Sequence, residues 1–265
     1  FKERGSKMKK TIGKILALMM CLIMAGALSA CGSKDKVYKV STEPTYPPFD
    51  TTNKDGDIVG FDMDLMKAIA KDQGFKVEFE SLEFDALIPA LKSDSTDIVI
   101  AGMNVTPERA KKVAFSDPYY KTGIVLLVKK DNASITGWDN FTAGSGLKVA
   151  AQTGTSQADI AEQLKKEGKV SKSVILNQNT TALQQLGNGD VDAVLVDKPV
   201  AVDIVASQGD KYKIVGDIKP DSVADVAIAV KTDNKELLKK INKGLKHLKE
   251  NGTYDKLAKK WKIEQ

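Results

Sequence analysis

Apolar positions change their spacing repeatedly along this chain, and each change marks an element. The run Thr96-Asp-Ile-Val-Ile-Ala101, ended by Gly102, reads as a buried strand. Thr106 and Pro107 then supply the N-cap and first position of a helix, which puts Arg109 in its first turn. Upstream, Tyr38–Ser41 reads as a strand entering a Pro-rich loop, Glu43–Phe49, with a turn at Asn53–Gly56. Between Gly60 and Gly74 the spacing becomes helical: Leu65, Met66, Ile69 and Ala70 share one face, and Gly74 is the stop. Asp62 and Asp64 sit where helix-start acids belong. A strand over 75–79 and a helix over about 85–92 continue the alternation, which predicts an α/β protein with mostly parallel sheet.

Leu91…Asp97-Ile-Val-Ile-Ala-Gly102 is echoed 95 residues on by Leu186…Asp192-Ala-Val-Leu-Val-Asp197. Both segments follow a helix and a polar turn, so the pattern predicts two similar lobes, each aiming strand carboxyl ends at a shared cleft. The chain closes with a strand, Val226–Val230, and a helix carrying Leu238, Ile241, Leu245 and Leu248 at helical spacing. Its lysines fall on the other face, as expected of a solvated surface.

The first thirty-one residues follow a different rule. Met8-Lys-Lys, the apolar run Ile15–Ala27 and Leu28-Ser-Ala-Cys31 have the order of a secretory signal, and the last four residues match a lipobox, making Cys31 the expected lipidated amino terminus. Phe1–Lys7 precede the expected initiator. Formal net charge is +5, but residues 1–30 hold six of the 40 basic residues and one of the 35 acids. The remainder is neutral, which removes the case for nucleic acid as a partner. Cys21 leaves with the signal, so the secreted body has no disulfide and no thiol nucleophile.

The chemistry on offer is recognition rather than reaction. Nucleotide loops and metal-ligand spacings are absent, no cofactor is implied, and the single histidine, His247, sits among lysines. Arg109 is the oddity, because a helix start already presents positive charge and a cation there needs an anion beside it.

Thr42-Glu-Pro-Thr-Tyr-Pro-Pro-Phe49, Gly60-Phe-Asp-Met-Asp-Leu65, Phe84-Asp-Ala-Leu-Ile-Pro-Ala-Leu91, Thr106-Pro-Glu-Arg109, Phe115-Ser-Asp-Pro-Tyr-Tyr120 and Gln152-Thr-Gly-Thr155 together resemble the polar-amino-acid-binding proteins of bacterial ABC importers, over about 37–265. The resemblance implies a two-lobed periplasmic-binding-protein-like fold (type II) with a two-strand hinge. Lobe one would be 37–126 plus 224–265 and lobe two 127–223, after a signal over 1–30 and a tether over 31–36. It implies that Arg109 grips the ligand α-carboxylate, that Asp197 meets the α-ammonium from the other lobe, and that Gly102 and Asn104 complete these contacts. Gly154-Thr155-Ser156 opens a helix whose free N–H groups can also face the carboxylate. The side-chain end would be lined by Glu43, Tyr46, Phe84 and Gln152, with Gln157 as a further candidate. The two aromatics can sandwich a flat group and Glu43 suits a cationic tip, so arginine is the expected ligand, with glutamine or histidine as alternatives. The implied partners are the permease subunits with their cytoplasmic ATPase and the membrane through Cys31, for a monomer on the outer face of the cytoplasmic membrane or in a periplasm. From another class, cyclohexadienyl-dehydratase-like enzymes and sensor or adhesion lipoproteins share the cleft architecture.

Overall fold

Burial alternates from Val37 to Val40 and is then continuous to Thr42 in the first strand, β1 (Val37–Thr42), of a sheet whose remaining members come from both halves of the sequence. The computed structural model describes residues 36–263, so the expected signal, tether start and Cys31 lie outside the described residues. After β1 come a small antiparallel sheet of β2 (Thr45–Tyr46), β3 (Asp50–Thr52) and β4 (Ile58–Val59), then helix α1 (Phe61–Gln73). Next are β5 (Lys76–Ser81), α2 (Leu87–Lys92), β6 (Ile98–Val99), α3 (Pro107–Ala110), β7 (Ala114–Phe115) and β8 (Tyr120–Thr122). The middle of the chain gives β9 (Ile124–Lys129), β10 (Lys148–Gln152), α4 (Ser156–Lys166), β11 (Lys172–Leu176), α5 (Asn179–Asn188), β12 (Ala193–Asp197), α6 (Lys198–Gln208) and β13 (Tyr212–Val215). It returns through β14 (Ala224–Val226) and β15 (Ala229–Val230) to α7 (Lys235–Glu250) and α8 (Thr253–Lys260).

Two five-stranded sheets result, ordered β5-β1-β6-β15-β7 and β11-β10-β12-β9-β13. In each, the three strands joined by helices run parallel, the fourth runs antiparallel to them, and the fifth pairs antiparallel with the fourth. The sequence echo has a structural cause. Lys39 N donates to Asp97 Oδ2 (2.9 Å) while Asp97 N donates to Lys39 O (3.0 Å). In the other lobe Lys148 N donates to Asp192 Oδ2 (2.8 Å) and Asp192 N to Lys148 O (2.9 Å). The same aspartate thus closes the same strand start twice, satisfying a backbone donor that the ladder leaves open.

The lobes are joined by an antiparallel ribbon in which Thr122 faces Ala224 and Tyr120 faces Val226. All the ladder partners of β9 lie in the second sheet. The strand expected over 226–230 divides between β14 and β15, because the chain there leaves the ribbon and enters the first sheet. The expected strand 96–101 shortens to β6, and the helix expected at 85–92 opens as a 3-10 turn, Phe84–Ala86, before α2.

Packing follows the apolar faces. Leu65, Met66, Ile69 and Ala70 of α1 are buried, and Gly244 of α7 lets that helix approach so closely that an added Cβ would sit 3.0 Å from Ile69. On α7 the buried residues are Leu237, Ile241, Leu245 and Leu248, with Leu238 at the margin and the lysines exposed. Each such leucine contributes about 2 kcal/mol through burial.

Candidate functional site

Loops at the strand carboxyl ends of both lobes converge on a cavity lined by Glu43, Tyr46, Phe84, Gly102, Asn104, Arg109, Gln152, Thr155, Gln157 and Asp197, together with Ala101 and Asn179. Ser156 is the exception among the expected residues. It lines a neighbouring outer groove with Asp85 and Asp159, because α4 turns it away from the cavity that Thr155 and Gln157 on either side of it reach.

Arg109 stands where its capping chemistry puts it. Thr106 Oγ1 accepts from Arg109 N (3.2 Å), fixing the first turn of α3, and the guanidinium turns back to donate to Asn104 O (2.7 Å). Its second arm crosses to the other lobe and donates to Gly154 O (2.9 Å), and its face lies 5.2 Å from the Phe84 ring. Phe84 therefore stacks on Arg109 as well as lining the cavity. Burial lowers the Arg109 pKa, against the charges of Asp159 and Asp197, and the group stays cationic.

Asp197 ends β12 and occupies the N-cap position of α6 without capping it. Its Oδ2 accepts from the Tyr46 hydroxyl of the first lobe and from Gln157 Nε2 (2.7 Å). Asp197 Oδ1 and Asn104 Oδ1 are buried acceptors without a close hydrogen-bond partner, with the Thr122 hydroxyl near enough to Asp197 to favour its charged form in part. Unpaired acceptors of this kind are uncommon in folded proteins and call for a donor.

Glu43 is 3 % exposed. The Thr45 hydroxyl reaches both its oxygens at 2.8 Å, and Gln152 Nε2 donates to Oε2 across the lobes at 2.9 Å. Gln152 is itself oriented, donating to Asn177 O (2.9 Å) and accepting from Asn179 Nδ2 (2.7 Å). Asn179 was not among the expected site residues; the signal available was a polar run, Asn177-Gln-Asn179, following a strand end and opening a helix. Thr155 caps α4, accepting from Ala158 N (3.1 Å) and donating to Gln152 O (2.6 Å).

Gly102 is held at φ 55°, and a Cβ there would lie 2.5 Å from the Tyr46 ring, so only glycine lets that ring pack on the loop. Its N–H donates to Asp62 Oδ2 (2.8 Å), which also accepts from the Tyr119 hydroxyl (2.9 Å). Asp62 does lie in the first turn of α1, yet it is fully buried rather than a solvated helix-start acid.

The cavity measures about 20 Å³, room for about one water molecule. Tyr46–Asp197, Glu43–Gln152 and Arg109–Gly154 all cross it, so admitting anything larger requires the lobes to part. Its lining carries two carboxylates against one guanidinium. Among the described residues no group of three His, Cys, Asp or Glu is placed to hold a metal, and His247 pairs with Asp72 on an exposed surface.

Burial raises the pKa of Glu43, Asp50, Asp62 and Asp197, with Asp62 reaching about 7. An acid whose folded pKa lies above its unfolded value stabilises the fold below the unfolded value and loses that contribution as pH rises through the folded one. The unliganded protein is accordingly expected to melt at a higher temperature at pH 5 than at pH 8. Calorimetric scans at several pH values check this, and a rising melting temperature over the same interval would contradict it.

The profile of the bacterial extracellular solute-binding proteins, family 3, matches residues 38–264. The chain is 36% identical over 259 residues to the arginine-binding extracellular protein ArtP of Bacillus subtilis (strain 168), an alignment spanning 94% of this chain and 97% of that protein. Among solved structures it is similar to an ancestral arginine-binding protein bound to arginine, with 44% identity, TM-score 0.79, and 85% and 97% of the two chains covered. An ancestral arginine-binding protein bound to glutamine gives 43%, 0.79, 86% and 98%. An ancestral amino acid-binding protein, a precursor of cyclohexadienyl dehydratase, gives 39%, 0.77, 85% and 95%.

Proposed function

Because this chain belongs to the bacterial extracellular solute-binding proteins of family 3, we propose that it is the extracytoplasmic receptor of an amino-acid ABC importer, closing on a polar L-amino acid with a cationic side chain, arginine first. The observation that carries the reading is the charge of the cavity: Arg109, Asp197 and Glu43 are three separately held groups, two acidic and one basic. A zwitterion consumes Arg109 and Asp197 and leaves Glu43 for a second positive charge.

In this reading Arg109 exchanges its carbonyl contacts for a two-pronged grip on the ligand carboxylate, assisted by the N-terminus of α4 behind Thr155. The ligand ammonium takes the open acceptors, Asp197 Oδ1 and Asn104 Oδ1, with the Gly102 carbonyl, and the Tyr46 hydroxyl gives way. The side chain then runs past Tyr46 to Glu43. Each lobe alone meets one end of the ligand, so the ligand binds the closed arrangement better and shifts the population toward it. We take the moving bodies as the expected lobes with the first boundary moved from 126 to Gly123, because β9 pairs only within the second sheet, and place the pivot at Gly123. Lipidation at Cys31, attachment to the membrane, delivery to a permease, and a monomeric, non-enzymatic protein belong to the same proposal. The amide of Gln152 beside Glu43 favours glutamine as the second reading, since a carboxamide could both accept from one and donate to the other.

A thermal-shift panel of arginine, lysine, ornithine, citrulline, histidine and glutamine tests the proposal. Arginine is expected to raise the melting temperature most, since ligand at 100 times Kd adds about 2.7 kcal/mol. Glutamine ranking first would favour the second reading, and no shift from any of the six would overturn both.

A further inference from the structure

Behind the aromatic wall of the cavity lie two carboxylates that the binding scheme does not use. Asp50 and Asp62 are both fully buried. The backbone brings them together: Asp62 N donates to Phe49 O (3.0 Å), and Gly60 packs so tightly that an added Cβ would lie 2.9 Å from the Asp50 Cα. Asp50 faces Tyr46 in the β2–β3 ladder, while Asp62 holds the Gly102 N–H, so the pair braces both residues that shape the ammonium end of the cavity. Both oxygens of Asp50 and the Oδ1 of Asp62 are buried without a close hydrogen-bond partner, with the Thr42 hydroxyl near enough to Asp50 to favour its charged form in part. The titratable groups that act on the pair are Glu43, Tyr46 and Tyr119, with Tyr254 behind Tyr119, and none of these is a cation. Two such acids cannot both ionise cheaply, so one proton or more stays with them.

Resting on the reading of the site given above, we propose that the Asp50–Asp62 pair is a proton-linked specificity determinant: a ligand bearing an extra positive charge binds preferentially because its arrival lets the pair release a proton to solvent. The pair touches no ligand. It acts through position and charge, with Asp62 as the positioning residue that couples the Gly102 loop to Tyr119, the residue before hinge strand β8. Burial holds Asp62 near neutrality, where a nearby cation shifts its ionisation most effectively.

Titration calorimetry of the full chain with arginine and with glutamine, in phosphate and in Tris at pH 6, 7 and 8, tests this. Arginine affinity is expected to rise about fivefold from pH 6 to pH 8, within the tenfold per unit that one released proton allows. The measured heats should differ between the buffers, and both effects should be smaller for glutamine. Asp62→Asn keeps one oxygen able to accept from both Gly102 and Tyr119, and is expected to retain arginine binding while flattening its pH profile. Asp62→Leu removes that acceptor and should weaken both ligands at every pH. Asp50→Asn leaves Asp62 without its acidic neighbour and should move the profile to lower pH. Buffer-independent heats with a flat wild-type profile would overturn the inference alone, as would an Asp62→Asn profile identical to wild type, which would assign the titration to Glu43 or Asp197. Failure of the wild type to bind either amino acid at any of these pH values would overturn the reading of the site and this inference with it.

Discussion

Arg109→Ala is expected to abolish binding of every amino acid, with a loss of at least 100-fold against arginine, glutamine and histidine alike. Arg109 is 9 % exposed, its guanidinium stacks on Phe84, and among the described residues it is the one cation lining the cavity. A carboxylate brought into that space without it would be a buried charge lacking a partner, which costs about 3 to 5 kcal/mol. Arg109→Lys keeps the charge but loses the fork, and should fall between wild type and alanine. Because the same side chain also ties Asn104 O to Gly154 O, the unliganded variants need melting temperatures alongside the calorimetry. A folded Arg109→Ala protein that binds arginine within threefold of wild type would remove Arg109 from the carboxylate role.

Glu43→Gln is expected to act selectively. It keeps the shape of the side chain and the contacts from Thr45 and Gln152, but removes the charge available to a guanidinium. Hydrogen bonds to charged groups contribute about 1.5 to 3 kcal/mol, so arginine should lose about 10- to 100-fold in affinity. Glutamine, whose carboxamide has no charge to lose, should change by less than about threefold. Equal losses for the two ligands, measured side by side by calorimetry, would show that Glu43 does not discriminate between them.

Several features were open to reading because they depend on neighbours in the chain. Thr106-Pro107 marks the start of α3 by local capping, and the cap alone sets Arg109 in the first turn. Leu65, Met66, Ile69 and Ala70 lie on one side of α1 because helical spacing alone puts them there. The paired aspartates Asp97 and Asp192 were visible as an echo because each performs the same local task at a strand start.

Other features answer to partners far away in sequence. Tyr46 and Asp197 are 151 residues apart, and nothing beside either one indicates that they meet. Asn179 entered the site only because α5 aims its first turn at Gln152, and Ser156 left it because α4 turns that residue outward. Asp62 shows the limit most clearly. Its place in a first helical turn is a normal one for a solvated acid, and only the approach of the β3 and Gly102 segments buries it.

By itself, then, the sequence determined the alternation of elements, the two-lobed α/β plan, and the types of group brought to a cleft, because spacing, capping and turn chemistry act over a few residues. Only the tertiary structure decided which of those groups face one another, which acceptors stay unpaired, and which acids lose their water. Burial and hydrogen bonding between distant segments are properties of the assembled fold, and they set the charge that the cavity presents.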